Sequence, residues 1–318
     1  MRIAVIMDPI ENVQIDRDTS FALMLEAQQR GHEVLYVRPT DLWVDGQVLH
    51  ACVRAVTLRR AEPPLHVSLG EPEDVAVQNV DVVLVRTDPP FDQNYLQVTR
   101  LLELVRGTTL VINDPRGLRD ANEKLYTLHF SELMPRTIVT RDAAVIRSFV
   151  EHHGGRCVIK PLNGAGGRGV LLLDQADLNF HALVEATTND GRCAAMVQEY
   201  LPQVRTGDKR ILVLDGVPLG AILRVPPSDD ARCNLHVGGR AEPACLAAAD
   251  EAIVQRLAPR LRADGLYFVG LDVIGGRLTE INVTSPTGIQ ELSRFTSSNP
   301  EGRVLEWIED RVGWRRCS

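Results

Sequence analysis

The sequence lacks the features that mark membrane proteins, disulfide-stabilised secreted proteins and general nucleic-acid binders. It contains no apolar run near the ~18 residues of a membrane span, and its start lacks the apolar core and cleavage site of a signal peptide. A net charge of −7 over 318 residues argues against general nucleic-acid binding. The six cysteines form no Cys-x-x-Cys pair, which argues against a zinc site and a disulfide framework and favours reduced thiols in the cytoplasm.

Common catalytic signatures are also missing. The chain has no Gly-Lys-Ser/Thr P-loop, and its scattered histidines suggest no Ser-His-Asp arrangement. The segment 163–169 matches G-x-G-x-x-G, but the apolar residues 170–174 that follow are typical of a strand, whereas a Rossmann fingerprint requires a helix there. A Rossmann oxidoreductase is therefore disfavoured. Cys233 lies in a polar stretch and is the candidate for a reactive thiol, although an incidental small residue is the favoured interpretation.

A strand, a glycine-rich loop and a second strand are instead typical of a flap over phosphates. Gly164, Gly166 and Gly167 would let backbone N–H groups close over phosphate oxygens without Cβ clashes. Lys160 precedes the loop on an apolar strand, where an unpaired cation is costly to bury, so we expect it to neutralise a phosphate. Lys124 is a second candidate, with a surface helix lysine as the alternative. The loop itself could also be an ordinary hairpin tip.

The segment 269–288 places oxygen-bearing side chains in an apolar β-hairpin. Glu280 and Asn282 lie two residues apart and share one face of a strand. With Asp272 they supply hard oxygen ligands of the kind that Mg²⁺ takes beside substrate phosphates. The alternative is a solvated hairpin edge with scattered polar residues.

The metal hypothesis makes a geometric prediction for this hairpin. A two-residue Gly275-Gly276 loop in regular register would set Asp272 opposite Thr279 and leave Glu280 on the other face. A three-residue loop, or a bulge, sets Asp272 opposite Glu280 and brings the ligands together. We therefore expect the longer loop or a bulge.

The remaining pattern predicts an α/β protein built from three consecutive units. Alternating strands and helices up to about residue 120 predict a parallel sheet with helices on its faces. The predicted strands lie at 2–7, 32–37, 80–85 and 110–112, and the predicted helices at 18–30 and 95–105. A central unit spans 121–200 around the glycine-rich loop. A C-terminal unit spans 201–318 and contains a polar loop at 226–241, the hairpin and a final helix.

A linker joins the central and C-terminal units. A strand end of this kind can offer backbone groups to an adenine edge, and Asp208 can take ribose hydroxyls. The linker residues are Gln198, Glu199, Tyr200 and Leu201. A strand that ends at a proline is also common for purely structural reasons.

Several motifs occur together in an order that resembles one enzyme family. They are Met7-Asp8-Pro9, the segment 86–92, Asp120-Ala121-Asn122-Glu123-Lys124, Lys160-Pro161 with the flap, Gly207-Asp208-Lys209-Arg210, Gly270-Leu271-Asp272 and the segment 280–287. With them the chain resembles the prokaryotic glutathione synthetases, members of the ATP-grasp ligases, over nearly its whole length. The resemblance implies an α/β ATP-grasp fold, with an N-terminal parallel-sheet substrate-binding domain (1–120) and two lobes (121–200 and 201–318) that clamp ATP.

The resemblance also implies a reaction. ATP phosphorylates the cysteinyl carboxylate of γ-glutamylcysteine, and the amine of glycine attacks the acyl phosphate to give glutathione, ADP and phosphate. Phosphoryl transfer of this kind depends on positioning and charge neutralisation and needs no nucleophilic side chain. The implied cofactor is Mg²⁺, with Mn²⁺ as a substitute. The implied state is a cytoplasmic homo-oligomer, a tetramer or dimer, with no nucleic-acid or membrane partner.

Individual residues receive roles from the same resemblance. Mg²⁺ would be held by Asp272, Glu280 and Asn282. ATP would be held by Lys124, Lys160, Gly164, Gly166, Gly167, Gln198, Glu199, Tyr200, Leu201 and Asp208. The acyl phosphate and the tetrahedral species would be stabilised by Arg210, Arg224 and Gly239, although a structural salt bridge is the alternative for each arginine. The dipeptide and glycine would contact Ser20, Arg86, Asp88, Arg232, Asn234, Ser285, Pro286, Thr287 and Gly288.

Two departures from the family pattern concern the loop and the acceptor. The segment 226–241 resembles the mobile loop of the family, whose closure would exclude water from the acyl phosphate. Residues 228–230 and Cys233 stand where the family often has glycines. Gln290 stands where some relatives have arginine, and this would weaken a carboxylate contact at that position.

Two other functions remain open on the sequence alone. One is a related ATP-grasp ligase that joins a different acyl donor to a different amino acid, and substrate scope would distinguish it. The other is a nucleotide-binding regulatory protein without turnover. The intact set of candidate phosphate and metal residues argues against the second: Lys160, Arg210, Asp272, Glu280 and Asn282.

Overall fold

The computed structural model describes residues 1–227, 233 and 238–317, and its N-terminal unit is a sheet flanked by helices. The strands are β1 (Arg2–Ile6), β2 (Glu33–Val37), β3 (Leu42–Asp45), β4 (Val48–Leu58), β5 (Val67–Ala76), β6 (Val82–Val85) and β7 (Leu110–Ile112), and the helices are α1 (Thr19–Gln29), α2 (Gln93–Leu102) and α3 (Pro115–Asp120). Strands β2, β1, β6 and β7 are adjacent in that order and parallel, which confirms the predicted core of the sheet.

An antiparallel extension of this sheet was not predicted. Strand β4 pairs antiparallel with β2, β3 and β5. Antiparallel neighbours need only short connections, so no helix separates them and the βα alternation does not reveal them. The available signal was the period-two burial of β4, in which Leu49, Ala51 and Val53 point inward.

Helix α1 begins and ends close to the predicted positions. The Asp18 side chain caps it by accepting a hydrogen bond from N of Phe21 at 2.7 Å. Gly31 follows its last turn with a positive φ. The cap fixes the first turn of the helix, which carries the candidate substrate residue Ser20.

The central unit is an antiparallel sheet with two helices on one face. Its elements are β8 (Thr137–Thr140), α4 (Ala143–His152), β9 (Arg156–Pro161), β10 (Leu171–Asp174), α5 (Phe180–Thr188) and β11 (Ala195–Glu199). The strand order is β10-β9-β11-β8. The glycine-rich loop therefore joins two paired strands, β9 and β10, as the sequence predicts. A 3₁₀ segment, Leu125–Leu133, leads into this unit.

The C-terminal unit is an antiparallel sheet with strand order β14-β13-β12-β15-β16 among the described residues. Its elements are β12 (Asp208–Leu214), β13 (Val217–Val225), β14 (Arg240–Ala244), α6 (Ala248–Ala263), β15 (Phe268–Ile274), β16 (Arg277–Asn282), α7 (Ile289–Thr296) and α8 (Pro300–Cys317). Strand β14 begins inside the segment expected to be a loop. The single final helix of the prediction is two helices, because the chain turns between Ser297 and Asn299.

Three buried hydrophobic clusters hold these units together. Two of them each combine residues of the N-terminal sheet with residues of the C-terminal sheet. The third lies entirely within the central unit. No helix among the residues described is long and apolar enough to cross a membrane.

Candidate active site

The β15–β16 hairpin has the register that the metal hypothesis requires. Asp272 lies opposite Glu280. The loop contains only Gly275 and Gly276, both with positive φ, as a tight hairpin turn demands. Thr279 is the additional residue of a bulge, and its Oγ1 donates a hydrogen bond to O of Asp272 at 3.1 Å. The predicted bulge is confirmed, and both carboxylates lie on one face.

Asn282 completes this set of oxygen donors. It follows Glu280 by two residues on β16, and so shares its face of the strand. Its Nδ2 donates to O of Gly270 at 3.2 Å, which holds the amide through its nitrogen and leaves the oxygen as a ligand atom. Two carboxylates and one amide oxygen match the hard donors that Mg²⁺ takes together with phosphate oxygens.

Asp272 is also part of a buried cluster of two arginines and two carboxylates. Arg210 donates to the two oxygens of Asp272 at 2.6 and 3.1 Å. Arg224 lies 2.9 Å from Asp272 and also donates to Asp208. Cross-strand pairing creates the cluster, since Arg224 lies opposite Asp208 and Arg210 opposite Asp272. The salt bridges that the sequence left as an alternative for both arginines are present.

The two carboxylates of this cluster differ in their acidity. Burial by itself would raise the pKa of Asp272, but the charges of Arg210 and Arg224 outweigh it and hold that pKa well below its usual range. For Asp208 burial dominates, and its pKa is raised to about 6. Oδ1 of Asp208 and Nε of Arg224 are buried without a hydrogen-bond partner among the described residues. The cluster thus has one hydrogen-bond acceptor and one donor that could bind a ligand in the adjacent cavities.

The two candidate lysines have different partners. Lys124 is buried, and its Nζ donates to Glu280 at 3.0 Å and to O of Gly164. The surface-lysine alternative for Lys124 is therefore wrong. Nζ of Lys160 donates to Oε1 of Gln198 at 2.6 Å, and burial lowers the pKa of Lys160. Because the partner of Lys160 is a neutral amide, it does not neutralise the charge of the lysine, and that charge is available to a bound anion.

A cavity of about 530 Å³ lies between the central sheet and the hairpin, within the range of about 300–1,000 Å³ typical of small-molecule sites. It brings together most of the sequence-derived nucleotide candidates: Lys124, Lys160, Gly164, Gly167, Gln198, Glu199, Tyr200, Leu201 and Asp208. Sequence reasoning missed its apolar walls, which include Val158, Leu172, Val204 and Ile274. Val158 could have been found, because it shares a strand face with Lys160 two residues later.

A second cavity, of about 680 Å³, adjoins the first. The two share Gly164, Ala165, Arg168 and Glu280. The second cavity also contains Gly166 and candidates from the catalytic, metal and substrate groups: Asp88, Arg210, Arg224, Asn282, Ser285 and Thr287. Glu280 and the flap therefore border both spaces.

The turn at 285–288 is held by residues that the sequence assigned to substrate. Arg86 is buried, and it donates to Oγ of Ser20 and to O of Pro286, both at 3.0 Å. Oγ of Ser285 donates to Asp88 at 2.6 Å. These residues come together, and their hydrogen bonds tie the turn to α1 and to the end of β6.

The next residues of the turn contact the arginine cluster. O of Thr287 accepts from Nη1 of Arg210 at 3.3 Å. Gly288 has a φ of 114° where helix α7 begins, and a Cβ there would lie 3.0 Å from Cδ1 of Ile222. Glycine at this position keeps the backbone close to the second cavity.

Gln290, which stands where some relatives have arginine, is engaged within the protein. It is buried, and its amide donates to O of Ile15 at 3.0 Å and to O of Asp18 at 2.6 Å. Its Oε1 accepts from Arg60 at 3.1 Å. Gln290 thus packs α7 against the segment before α1, and its contacts are structural.

The proposed mobile loop is described only in part. Arg232 and Asn234 lie outside the described residues, as do residues 228–230. Gly239 immediately precedes β14. Cys233 is buried against O of Val204 at 3.6 Å and burial raises its pKa to about 12, which agrees with the favoured interpretation of an incidental residue and argues against a reactive thiol.

Two family models match the chain and together cover most of it. The prokaryotic glutathione synthetase N-terminal domain matches residues 1–119, and the prokaryotic glutathione synthetase ATP-grasp domain matches residues 123–297. The chain belongs to the prokaryotic glutathione synthetase family. Membership in this ATP-grasp family carries ATP use and dependence on a divalent metal.

Relatives agree with this assignment over nearly their full length. The glutathione synthetase of Mesorhizobium japonicum is 46% identical over 98% of the chain and 99% of the relative. That of Synechocystis is 44% identical over 97% of the chain and 99% of the relative. The solved structure of D-cycloserine synthetase DcsG has a TM-score of 0.69 at 16% identity, and covers 98% of this chain and all (100%) of that one. The predicted ATP-grasp fold is confirmed.

Proposed function

We propose that this chain ligates γ-glutamylcysteine to glycine with ATP, through an acyl phosphate, to give glutathione, ADP and phosphate. The observation that carries the proposal is the junction of the two cavities at Glu280 and the flap. ATP in the first cavity would extend its γ-phosphate towards this junction. The dipeptide carboxylate would approach the same point from the second cavity, where Arg210 and Arg224 supply positive charge.

Different residues of the first cavity would bind the base and the phosphates of the nucleotide. Val158, Leu172 and Ile274 provide apolar walls for the base, and the strand end at 199–201 provides backbone groups for its edge. Lys160 and Lys124 lie where cations would neutralise phosphates. Backbone N–H groups of the flap would cover the phosphates without side chains in the way.

The metal in this proposal is Mg²⁺, with Mn²⁺ as a substitute, held by Asp272, Glu280 and Asn282. When bound, such an ion neutralises charge on the transferring phosphoryl group. The chain contributes the bulge at Thr279, which sets the two carboxylates on one face. It also contributes Lys124, which orients Glu280 through their ion pair.

Arg210 and Arg224 would stabilise the acyl phosphate and the tetrahedral species that follows attack by the amine. Both are fixed by Asp272, so little reorganisation is needed when charge develops nearby. The backbone of Thr287 and Gly288 would receive the carboxylate of the acceptor. The acceptor in this proposal is glycine, the smallest amino acid, as the resemblance implies. We also propose a cytoplasmic homo-oligomer, a dimer or tetramer, by resemblance to the family.

The test is ADP release with Mg-ATP, γ-glutamylcysteine and glycine, each omitted in turn. ADP formed only with all three, and matched by glutathione, is the expected result. ADP that needs the dipeptide but ignores glycine would contradict the proposed acceptor and retain the acyl phosphate. No ADP from a folded, ATP-binding protein under any combination would contradict the proposed donor as well. Alanine and serine in place of glycine test the identity of the acceptor.

A further inference from the structure

The strand that carries Glu280 and Asn282 is the outer strand of its sheet. Among the described residues β16 pairs with β15 along one edge, and no strand pairs with its other edge. An unpaired edge exposes backbone N–H and C=O groups and opens more readily than an internal strand. If β16 is to hold metal ligands in fixed positions, contacts other than a neighbouring strand must stabilise its outer edge.

One residue, Glu123, supplies partners to this outer edge. Its backbone O accepts from N of Ile281 at 3.1 Å. Its Oε1 accepts from N of Val283 at 2.9 Å, from N of Thr284 at 3.1 Å and from Oγ1 of Thr284 at 2.9 Å. Four donors, from Ile281 on β16 and from Val283 and Thr284 just after it, thus end on one glutamate. A carboxylate oxygen accepts such a set well, because charge-assisted hydrogen bonds are stronger than neutral ones.

Two other residues, Lys124 and Asn113, also form hydrogen bonds with β16 or with the residue that follows it. Lys124, the next residue, reaches Glu280 and O of Gly164 in the flap. Asn113, which follows β7, donates to O of Val283 at 2.7 Å. The end of β16 is therefore held from outside its own sheet, by residues of the chain between β7 and β8.

We propose that Glu123 is a positioning residue that holds the outer edge of β16, so that Glu280 and Asn282 keep the spacing needed to bind a divalent metal. This inference rests on the proposed function. Glu123 acts through hydrogen bonds to the strand, and the metal ligands remain those named above. Residues that orient ligands in this way typically change metal affinity about 10–100-fold when removed.

The test compares Glu123→Ala, Glu123→Gln and Thr284→Val with the wild-type protein and with Glu103→Ala. Glu103 forms ion pairs with Arg116 and Arg119 away from both cavities, so its variant controls for the loss of an ordinary carboxylate. The first readout is Mn²⁺ binding by electron paramagnetic resonance in the presence of a non-hydrolysable ATP analogue. The second is amide hydrogen exchange across residues 280–284.

Glu123→Ala should weaken Mn²⁺ binding by about tenfold or more and speed exchange at 281, 283 and 284. Glu123→Gln keeps an acceptor oxygen and should restore most of the affinity, while Thr284→Val, which removes one donor, should give a smaller loss. Glu103→Ala should match the wild type. These results would support the positioning role even if one variant were unstable, because the other variants weaken the same hydrogen bonds to different extents.

Three results would overturn the inference. Wild-type Mn²⁺ affinity and exchange in Glu123→Ala would show that β16 needs no such support. Equal loss of turnover in the Gln and Ala variants, with Mn²⁺ binding unchanged, would assign the carboxylate a direct role on substrate. If the wild-type protein itself bound no Mn²⁺, the metal site of the proposed function would fail and this inference with it.

Discussion

The central unit and the rest of the molecule bury their apolar side chains in different ways. The central unit has its own core, formed by residues between 138 and 197. The N-terminal and C-terminal units are not separate in this sense, because each of the other two clusters contains residues of both. Three units in sequence thus make two hydrophobic bodies, and the first cavity lies between them.

Polar contacts join these two bodies near the flap. Nδ2 of Asn122 donates to O of Leu162 at 3.2 Å, and Nζ of Lys124 donates to O of Gly164. Polar interfaces within a chain permit relative motion more readily than large apolar ones. The comparison therefore predicts that changes in the larger body disturb the whole molecule, while changes in the central unit act locally.

The largest effect is expected from Asp272→Asn in the larger body. The substitution removes the charge that Arg210 and Arg224 share, and breaking a buried pair costs about 3–5 kcal/mol of unfolding free energy. Turnover should fall by about a thousandfold, since the arginines and a proposed metal ligand are affected together. Denaturant unfolding and ADP release measure the two effects. Near-wild-type stability would contradict the importance of the cluster to the larger body.

A matched pair of core substitutions tests the two-body comparison directly. Ile159→Ala removes apolar contacts in the central core, and Leu257→Ala does so in a shared core. Each should cost about 2–5 kcal/mol. Hydrogen exchange should show faster opening confined to 137–199 in the first variant and global destabilisation in the second. Identical global patterns would mean that the central unit does not open independently.

Glu280→Gln should separate chemistry from stability. Glu280 belongs to the larger body but borders both cavities and pairs with Lys124. Loss of its charge should lower turnover by about a hundredfold by weakening metal binding, with a small change in unfolding free energy because the side chain is partly exposed. ADP release over a Mg²⁺ titration measures this, with Glu132→Gln as a surface control. Wild-type turnover at limiting Mg²⁺ would reject the metal role.

The smallest effect is expected at Cys233, which lies on the wall of the first cavity. With a pKa of about 12, its thiolate fraction at pH 8 is roughly 10⁻⁴, so alkylation should be slow. Raising the pH towards 12 should accelerate it, whereas the exposed Cys193 and Cys245 should react first at pH 8. Peptide mapping after iodoacetamide measures the order. Preferential labelling of Cys233 at pH 8 would contradict its burial.

Much of the fold and the site could be predicted from local patterns. Helix α1, the strand–glycine loop–strand flap and the bulged hairpin follow from capping residues, glycines and the two-residue repeat of strands. The hypothesis of metal ligands at Asp272, Glu280 and Asn282 needed only that repeat and the cost of burying carboxylates. The order of motifs was enough to recognise the family.

Local patterns do not reach contacts in which a partner distant in sequence decides the outcome. The contacts of the Gln290 amide with Arg60, Ile15 and Asp18 are of this kind. The burial of Cys233 is another, because its neighbours in sequence are polar while the thiol itself is buried. Neither contact has a local signature.

The sequence by itself determined the elements, the candidate ligands and the family, because these depend on side-chain type and short spacing. Only the tertiary structure decided that Arg210 and Arg224 share Asp272, that Glu123 holds the outer edge of β16 and that three units form two bodies. These features depend on which strands and helices become neighbours. That choice is made by the burial of apolar surface across the whole chain, and short stretches of sequence do not encode it.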